Sequence, residues 1–265
     1  MLKISVVTVS YNAVHEIEET ILSVLNQTYS NIEYIIIDGG STDGTVDIIR
    51  KYADQLAYWV SEPDKGIYDA MNKGIAAATG DYINFMNAGD IFSNNDVLNQ
   101  FVPNLHDHPD IVYGSCNIKL NGDTAHTRPM PISALKKKMP FCHQACFVST
   151  PFHQKHMFDA SFKVLADYNM FYNAYKNGAK FQYIPICVAN YDIGYQNTSS
   201  VQYKLYIRER YRIWGIENEP IRKIPSELQL IYIRITNTIK RILPPKMILK
   251  IKRTIEHFRS HDNIS

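Results

Sequence analysis

The chain has 265 residues, 45% of them hydrophobic, with 28 Lys+Arg against 26 Asp+Glu and a formal net charge of +2. At about 100–200 residues per domain, this suits one α/β domain of roughly 200 residues plus an extension, with enough apolar content for a packed core. No run of 18 or more apolar residues occurs, which excludes a spanning helix, and the four cysteines (Cys116, Cys142, Cys146, Cys187) lack a second pair at zinc spacing.

Those cysteines read as buried free thiols of a reducing compartment. Met1 and Leu2 run straight into a strand-like segment, so the expectation is a cytoplasmic protein without a signal peptide. The charge is unevenly spread. Residues 1–200 hold 14 Lys+Arg and 20 Asp+Glu, and residues 201–265 hold 14 and 6. That split suggests a basic arm for an anionic partner.

In chain order, residues 3–10 are β-branched and nearly all apolar, as in a strand buried on both faces, and Tyr11-Asn12 ends them. Ile17, Ile21, Leu22, Val24 and Leu25 recur at helical spacing behind an acidic first turn of Glu16, Glu18 and Glu19. Residues 32–38 are a second buried strand, ending in Asp38 and the turn-rich Gly39-Gly40-Ser41-Thr42-Asp43-Gly44, after which a helix runs through Val46, Ile49 and Tyr52. Residues 56–60 read as a third strand. Strand–helix alternation of this kind predicts right-handed βαβ units and a parallel sheet.

Residues 62–90 are the richest stretch. Pro63 and Gly66 break the chain. Ile67, Met71, Ile75 and Ala78 then give one apolar helical stripe, which Gly80 is expected to close. Residues 82–86 form a fourth strand, followed by the loop Asn87-Ala88-Gly89-Asp90. One short stretch thus supplies Asp64 and Lys65 on a loop, Asp69, Asn72 and Lys73 on a helix, and Asp90 on the next loop.

Beyond Asp90 the pattern loosens. Residues 110–114 and 118–120 look like strands before an Asn121-Gly122 hairpin turn. Residues 132–139 are a short basic segment containing Lys136-Lys137-Lys138, a solvated charge run rather than an acceptor-phosphate contact. Phe141-Cys142-His143-Gln144 leads into an apolar strand. Residues 166–177 form a helix closed by Gly178. Residues 181–184 and 187–191 read as two strands separated by Pro185, before a polar loop at 194–200.

Three strand ends carry polar clusters: Tyr11-Asn12, Asp38 and Asp90. In a parallel sheet such ends share one edge, where ligands bind. A nucleoside diphosphate explains the mix. A carboxylate accepts from a uracil imide or ribose hydroxyls, Lys meets phosphate oxygens, and Mn²⁺ or Mg²⁺ bridging a diphosphate needs only one or two protein carboxylates. Each feature also has a plainer reading: Asp38 and Asp43 as turn caps, Asp69, Asn72 and Lys73 as a polar helix face, Asp167 as a helix N-cap and His143 as a structural histidine.

Four motifs, Thr8-Val9-Ser10-Tyr11-Asn12, the run from Asp38 to Thr45, the block 62–90 and Ala166-Asp167-Tyr168, resemble in identity and order those of family 2 glycosyltransferases. The resemblance covers about residues 3–200. It implies a GT-A fold, an α/β architecture with a Rossmann-like, mostly parallel sheet flanked by helices. Residues 1–92 would then be the nucleotide-sugar half and residues 93–200 the acceptor half. It implies inverting transfer of a sugar from a nucleotide-sugar donor. The donor contacts would come from Thr8, Ser10, Tyr11, Asn12, Asp38, Gly39, Asp64, Lys65, Asn72, Lys73, Asn87 and Ala88, with Asp38 on the base and Asp64 near the nucleoside. Asp90 would hold a divalent cation (Mn²⁺ or Mg²⁺), Asp167 would be the general base, and His143 and Gln144 would face the acceptor. The loop from Tyr195 to Ser200 corresponds to one that often closes over donor in that family. One departure stands out: the family's metal motif is usually Asp-x-Asp, whereas here a single carboxylate follows Asn87-Ala88-Gly89.

Residues 201–265 read as a basic α-helical extension, with helices near 201–216, 226–243 and 246–259. Over residues 226–259 aliphatic side chains alternate with Lys and Arg, the pattern of helices on an anionic membrane face or packed on the domain or a second subunit as a homo-oligomer. The positive charge is confined to apolar helices and no nucleic-acid module is present, which argues against nucleic acid. The sequence-level expectation is therefore a UDP-sugar-dependent transferase acting on a saccharide or lipid-linked acceptor, cytoplasmic or peripheral on the inner membrane face. The alternatives are a non-catalytic nucleotide-sugar-binding protein with a degraded metal motif, and a sugar nucleotidyltransferase. The latter lacks its Gly-rich basic loop at Ser10-Tyr11-Asn12-Ala13-Val14.

Overall fold

A computed structural model describes residues 1–120, 123–192 and 203–216. The chain divides into two compact units, residues 1–118 with 126–192, and residues 119–125 with 193–265.

The first unit opens with β1 (Ile4–Ser10), α1 (Ile17–Leu25), β2 (Ile32–Asp38), α2 (Thr45–Lys51), β3 (Tyr58–Ser61), α3 (Ile67–Ala77) and β4 (Tyr82–Phe85). In chain order β5 (Ile91–Phe92), α4 (Val97–Phe101), β6 (Ile111–Leu120), β7 (Asp123–Thr127), β8 (Cys146–Ser149), α5 (Thr150–Lys155), α6 (Ala166–Lys176) and β9 (Phe181–Asp192) follow, the end of β6 and the start of β7 being counted with the second unit. The sheet order is β3-β2-β1-β4-β8-β6-β9-β5, with β7 paired to β6. Strands β3, β2, β1 and β4 are parallel, and β8 joins both β4 and β6 antiparallel.

All seven residues of β1 are buried, as a near-continuous apolar strand between helical layers requires. On one face Ile17, Ile21 and Val24 of α1 join Ile4, Val6, Ile36, Phe101 and Phe147 in one core, where Phe101 and Phe147 stack at 3.8 Å. On the other face α3 approaches β1 so closely that a Cβ on Gly74 would overlap Val7.

Several sequence expectations are corrected here. Met71, Ile75 and Ala78 are buried as expected, joined by Tyr68, Ala70 and Gly74, but Ile67 at the start of α3 is 48% exposed. Leu22 is likewise exposed on α1. The helix α3 ends at Ala77, not at Gly80. Gly80 instead lies against β1, where a Cβ would be 2.6 Å from Ser5 Oγ and 2.7 Å from the Lys3 carbonyl oxygen. Residues 110–120 hold one strand, not two, and Pro185 sits inside a single twelve-residue β9. Proline removes one ladder donor without ending the strand. Strand β5 and helices α4 and α5 had no periodicity long enough to predict them. The hairpin tip at Asn121-Gly122 lies outside the described residues.

In the second unit, α7 (Tyr203–Trp214) matches the first helix expected there, and Arg210 stacks 4.3 Å from the Trp214 ring. The loop at 194–200 and the helices expected at 226–243 and 246–259 lie outside the described residues. Among the described residues, no helix is long and apolar enough to cross a membrane.

Candidate active site

Strand register builds the centre of the edge. Ser10 pairs with Asp38 and Asp38 with Ser61, which sets three polar residues in one row across β1, β2 and β3. Asp38 is fully buried and its carboxylate accepts five hydrogen bonds. Oδ1 accepts from Ser10 Oγ (2.9 Å) and Ser41 Oγ (2.6 Å); Oδ2 accepts from Ser61 Oγ (2.7 Å) and the Gly40 and Ser41 amides (3.1 and 2.8 Å). Burial opposes its ionisation more than any other single influence, but the bonds from Ser41, Ser61 and Ser10 outweigh it and lower its pKa. Asp38 therefore ties the loop after β2 to the ends of its neighbours.

The facing loop is tied the same way. Asn12, at a left-handed φ of 47°, donates its amide to Ser41 Oγ and accepts from the Thr42 amide. Asp43 accepts from the Val14 and Thr45 amides, the turn-cap role read from sequence. Above this framework the Tyr11 ring is 66% exposed, and Asp64 lies directly against Gly39, where a Cβ would overlap its carboxylate. Asp64 Oδ1 accepts from the Gly66 amide at 2.8 Å.

The turn after β4 is pinned to β1 and α1. Thr8 Oγ1 donates to the Met86 carbonyl (2.7 Å), the Ala88 amide to Val9 (3.1 Å), and Thr20 Oγ1 to the Asp90 carbonyl (2.9 Å). Asp90 is 7% exposed, and burial, only partly offset by a hydrogen bond from Gln144, pushes its carboxyl up to about 7. Asn87 Oδ1, in the same turn, is buried and without a hydrogen-bond partner. A buried carboxylate and an unpartnered amide oxygen from one turn are hard oxygen donors of the kind Mn²⁺ or Mg²⁺ takes, with diphosphate and water completing the shell. Among the described residues no cluster of three or more His, Cys, Asp or Glu suits a metal.

Asp167 occupies the first turn of α6, where the helix dipole favours a carboxylate. Its Oδ1 accepts from the Tyr168 amide (2.8 Å) and shares the Tyr68 hydroxyl proton (3.1 Å) with the Val164 carbonyl (2.8 Å), and its Oδ2 lies 3.8 Å from His143 Nδ1. Burial lowers the His143 pKa against the pull of Asp167, so the ring is neutral at pH 7 and the contact is no ion pair. The next residue, Gln144, donates from Nε2 to Asp90 Oδ2 at 3.0 Å. The 3₁₀ turn His143–Ala145 thus spans from one carboxylate to the other, held by Asn84 Nδ2, which donates to the carbonyls of Gln144 and Cys146.

The remaining expected donor residues have partners of their own. Both polar groups of the Asn72 amide pair with the Phe158 backbone at 2.8 and 2.9 Å. Lys73 pairs with Glu62 at 2.7 Å and lines, with Ile35, Ile37 and Val60, a groove between α3 and the outer strands. Lys65 is exposed and its amide donates to Asp69. Sequence reasoning missed Ser41, Ser61, Tyr68 and Cys142. Ser61 was findable as the residue in register with Asp38, and Tyr68 as the large side chain next to the exposed Ile67 on the buried face of α3. All four cysteines are free, Cys116 and Cys146 buried.

A parallel α/β half with loops gathered on its carboxyl edge, continued by antiparallel strands that carry a helix-borne carboxylate toward it, is the architecture of GT-A glycosyltransferases. The chain belongs to Glycosyl transferase family 2, whose sequence profile matches residues 5–168. It is 38% identical over 171 residues to an uncharacterised glycosyltransferase of Mycobacterium tuberculosis, an alignment covering 62% of this chain and 65% of that protein. To the PGL/p-HBAD biosynthesis glycosyltransferase of Mycobacterium bovis it is 31% identical over 182 residues, 64% of this chain and 69% of that one. Among solved structures, S. aureus TarS 1-349 in complex with UDP-GlcNAc aligns with a TM-score of 0.60 at 19% identity, over 72% of this chain and 58% of that one. The mannosyltransferase PcManGT from Pyrobaculum calidifontis, in complex with GDP-Man and Mn²⁺, aligns with a TM-score of 0.62 at 17% identity, over 81% and 63%.

Proposed function

We propose that this protein is an inverting glycosyltransferase that moves a sugar from a nucleotide-sugar donor, a UDP-sugar in the first instance, to a hydroxyl of a saccharide or lipid-linked acceptor in bacterial cell-surface polysaccharide or glycolipid synthesis. The observation that carries this reading is the pairing of two unlike carboxylates on one bridge. Asp90 is buried beside Asn87, and Asp167 is partly exposed on a helix N-terminus, joined to it through His143 and Gln144. Family membership supports it, and relatives are crystallised with UDP-GlcNAc or GDP-Man.

In this reading the nucleoside sits over Gly39 between Tyr11 and Asp64. Thr8, Ser10, Asn12 and Asp38 act by holding the loops in place, and Asn87, Ala88 and Asp90 face the diphosphate. Asp167 takes the proton of the acceptor hydroxyl as that oxygen bonds to the sugar's C1. The C1–O bond to the diphosphate breaks on the opposite face, which inverts the anomeric carbon. Asp90, with Asn87 beside it, would hold a divalent cation, whose contribution when bound is to stabilise charge on the leaving diphosphate. The basic residues 226–259 are assigned to an anionic membrane face, where a lipid-linked acceptor would reside.

Melting the protein with UDP, dTDP, GDP or CMP, each with and without Mn²⁺, tests the reading. A ligand at about 100 times its dissociation constant adds about 2.7 kcal/mol. A shift with one diphosphate that grows with Mn²⁺ is expected; no shift with any nucleotide overturns it. The single carboxylate of the 87–90 turn favours one second reading, a nucleotide-sugar-binding protein without catalysis. Donor hydrolysis lost in Asp167→Asn separates the enzyme from it.

A further inference from the structure

We propose that Cys142 and Gln144 are positioning residues that set the Asp90 carboxylate for a divalent cation, with Cys142 fixing which end of the Gln144 amide meets Asp90. The inference rests on the reading of Asp90 as the cation carboxylate.

The backbone around Asp90 is already fixed, by its own amide to the Asn87 carbonyl (2.8 Å) and by Thr20 Oγ1 to its carbonyl (2.9 Å). Rotation of the carboxylate is what remains. Gln144 Nε2 holds Oδ2 at 3.0 Å, which leaves Oδ1 as the oxygen to present. The backbone of Gln144 is in turn fixed by Asn84 Nδ2 at 3.0 Å.

An amide side chain has two nearly isosteric orientations, one donating and one accepting. Here the Cys142 thiol donates to Gln144 Oε1 at 2.8 Å. Its proton makes the Oε1-inward orientation the bonded one and turns the NH₂ group to Asp90. Without that proton, the flipped amide would set a carbonyl oxygen against a carboxylate. Neither Cys142 nor Gln144 carries charge, so their effect is on geometry, and residues in this relation to a metal ligand typically change affinity by about 10–100-fold.

The test is Mn²⁺ binding, followed by the electron paramagnetic resonance signal of free Mn²⁺ with saturating UDP, in the wild type and in Asp90→Asn, Gln144→Leu, Gln144→Met, Cys142→Ala and Cys142→Ser. Asp90→Asn is expected to abolish tight binding. Both Gln144 variants should weaken it about tenfold. Cys142→Ala should weaken it severalfold, and Cys142→Ser, which keeps a donor, should restore it. UDP affinity without Mn²⁺ should hold in all four Cys142 and Gln144 variants. If Asp90→Asn abolishes Mn²⁺ binding while the Gln144 and Cys142→Ala variants bind as wild type, the positioning role is overturned and the reading of Asp90 stands. If those variants melt earlier but bind Mn²⁺ normally, the pair is structural and the proposal fails. If Asp90→Asn binds Mn²⁺ as wild type, the reading of Asp90 itself fails.

Discussion

Gly39 and Asp64 are in direct contact: the space a side chain at position 39 would fill is taken by the Asp64 carboxylate, with the Tyr11 ring on its other side. The backbone at Gly39 has no left-handed φ, so this glycine is needed for room and not for conformation. Adding one methyl displaces the end of a flexible side chain, which is cheap, whereas moving Asp64 removes it from the proposed nucleoside site. Gly39→Ala is therefore expected to keep the melting temperature within a few degrees and to weaken UDP binding about tenfold, about 1.4 kcal/mol. Calorimetric titration with UDP checks it, and unchanged affinity would separate Asp64 from the nucleoside.

Asp167→Asn preserves the shape that accepts the Tyr168 amide and Tyr68 hydroxyl while removing the base. A positioned general base contributes roughly 10²–10⁴-fold. The expected result is a fall of that order in kcat for sugar transfer with UDP affinity unchanged. Tyr68→Phe, which removes one hydrogen bond to Asp167, should cost less than tenfold. A matching loss of nucleotide affinity in Asp167→Asn would place the residue in donor binding instead.

At the opposite end of β1 a buried carboxylate has a structural role that no local motif announces. Glu33 accepts from Lys3 Nζ (2.7 Å), Ser5 Oγ (2.6 Å) and the Thr79 amide (2.7 Å). Burial is the largest single influence and opposes ionisation, yet these bonds together bring its carboxyl down to about 2. A folded-state pKa below the unfolded value means stability that is present above about 4.5 and lost as pH falls toward about 2. Glu33→Gln should thus lower stability at pH 7 by on the order of 2 kcal/mol. In denaturant titrations the gap to wild type should close between pH 4.5 and 2, and a gap constant over that window would remove the charge from the explanation.

What was legible in the sequence follows from how local each signal is. Strands β1 and β2 announce themselves as apolar β-branched runs, and the motifs at their ends lie within a few residues of Asp38 and Asp90. The inward turn of Asp38 was not legible, because it depends on Ser10 and Ser61 arriving from two other strands. Gly80 misled because a helix stop and a close approach to a neighbouring strand both demand glycine, and only the packing against Ser5 distinguishes them. Gln144 was read toward the acceptor because nothing in its neighbourhood encodes the distance to Asp90, 54 positions upstream.

His153 is the remaining anomaly, fully buried with neither ring nitrogen hydrogen-bonded and packed edge-on to Phe158 at 5.0 Å and to Phe85 at 5.9 Å. Burial, aided by His143, pushes its pKa down to about 3. At pH 7 the ring is neutral in both folded and unfolded chains, so its cost there is the unmet hydrogen bonds alone, about 1 kcal/mol or more. Below pH 6.5 the unfolded chain gains a proton that the folded chain refuses, so stability falls progressively from about 6.5 down to about 3. His153→Phe removes both penalties and suits the aromatic surroundings. The expected outcome is a melting temperature raised by about 2–4 °C at pH 7, with an advantage that widens as pH drops from 6.5 to 4. An advantage that stays flat over that interval would mean that the folded protein protonates His153 freely.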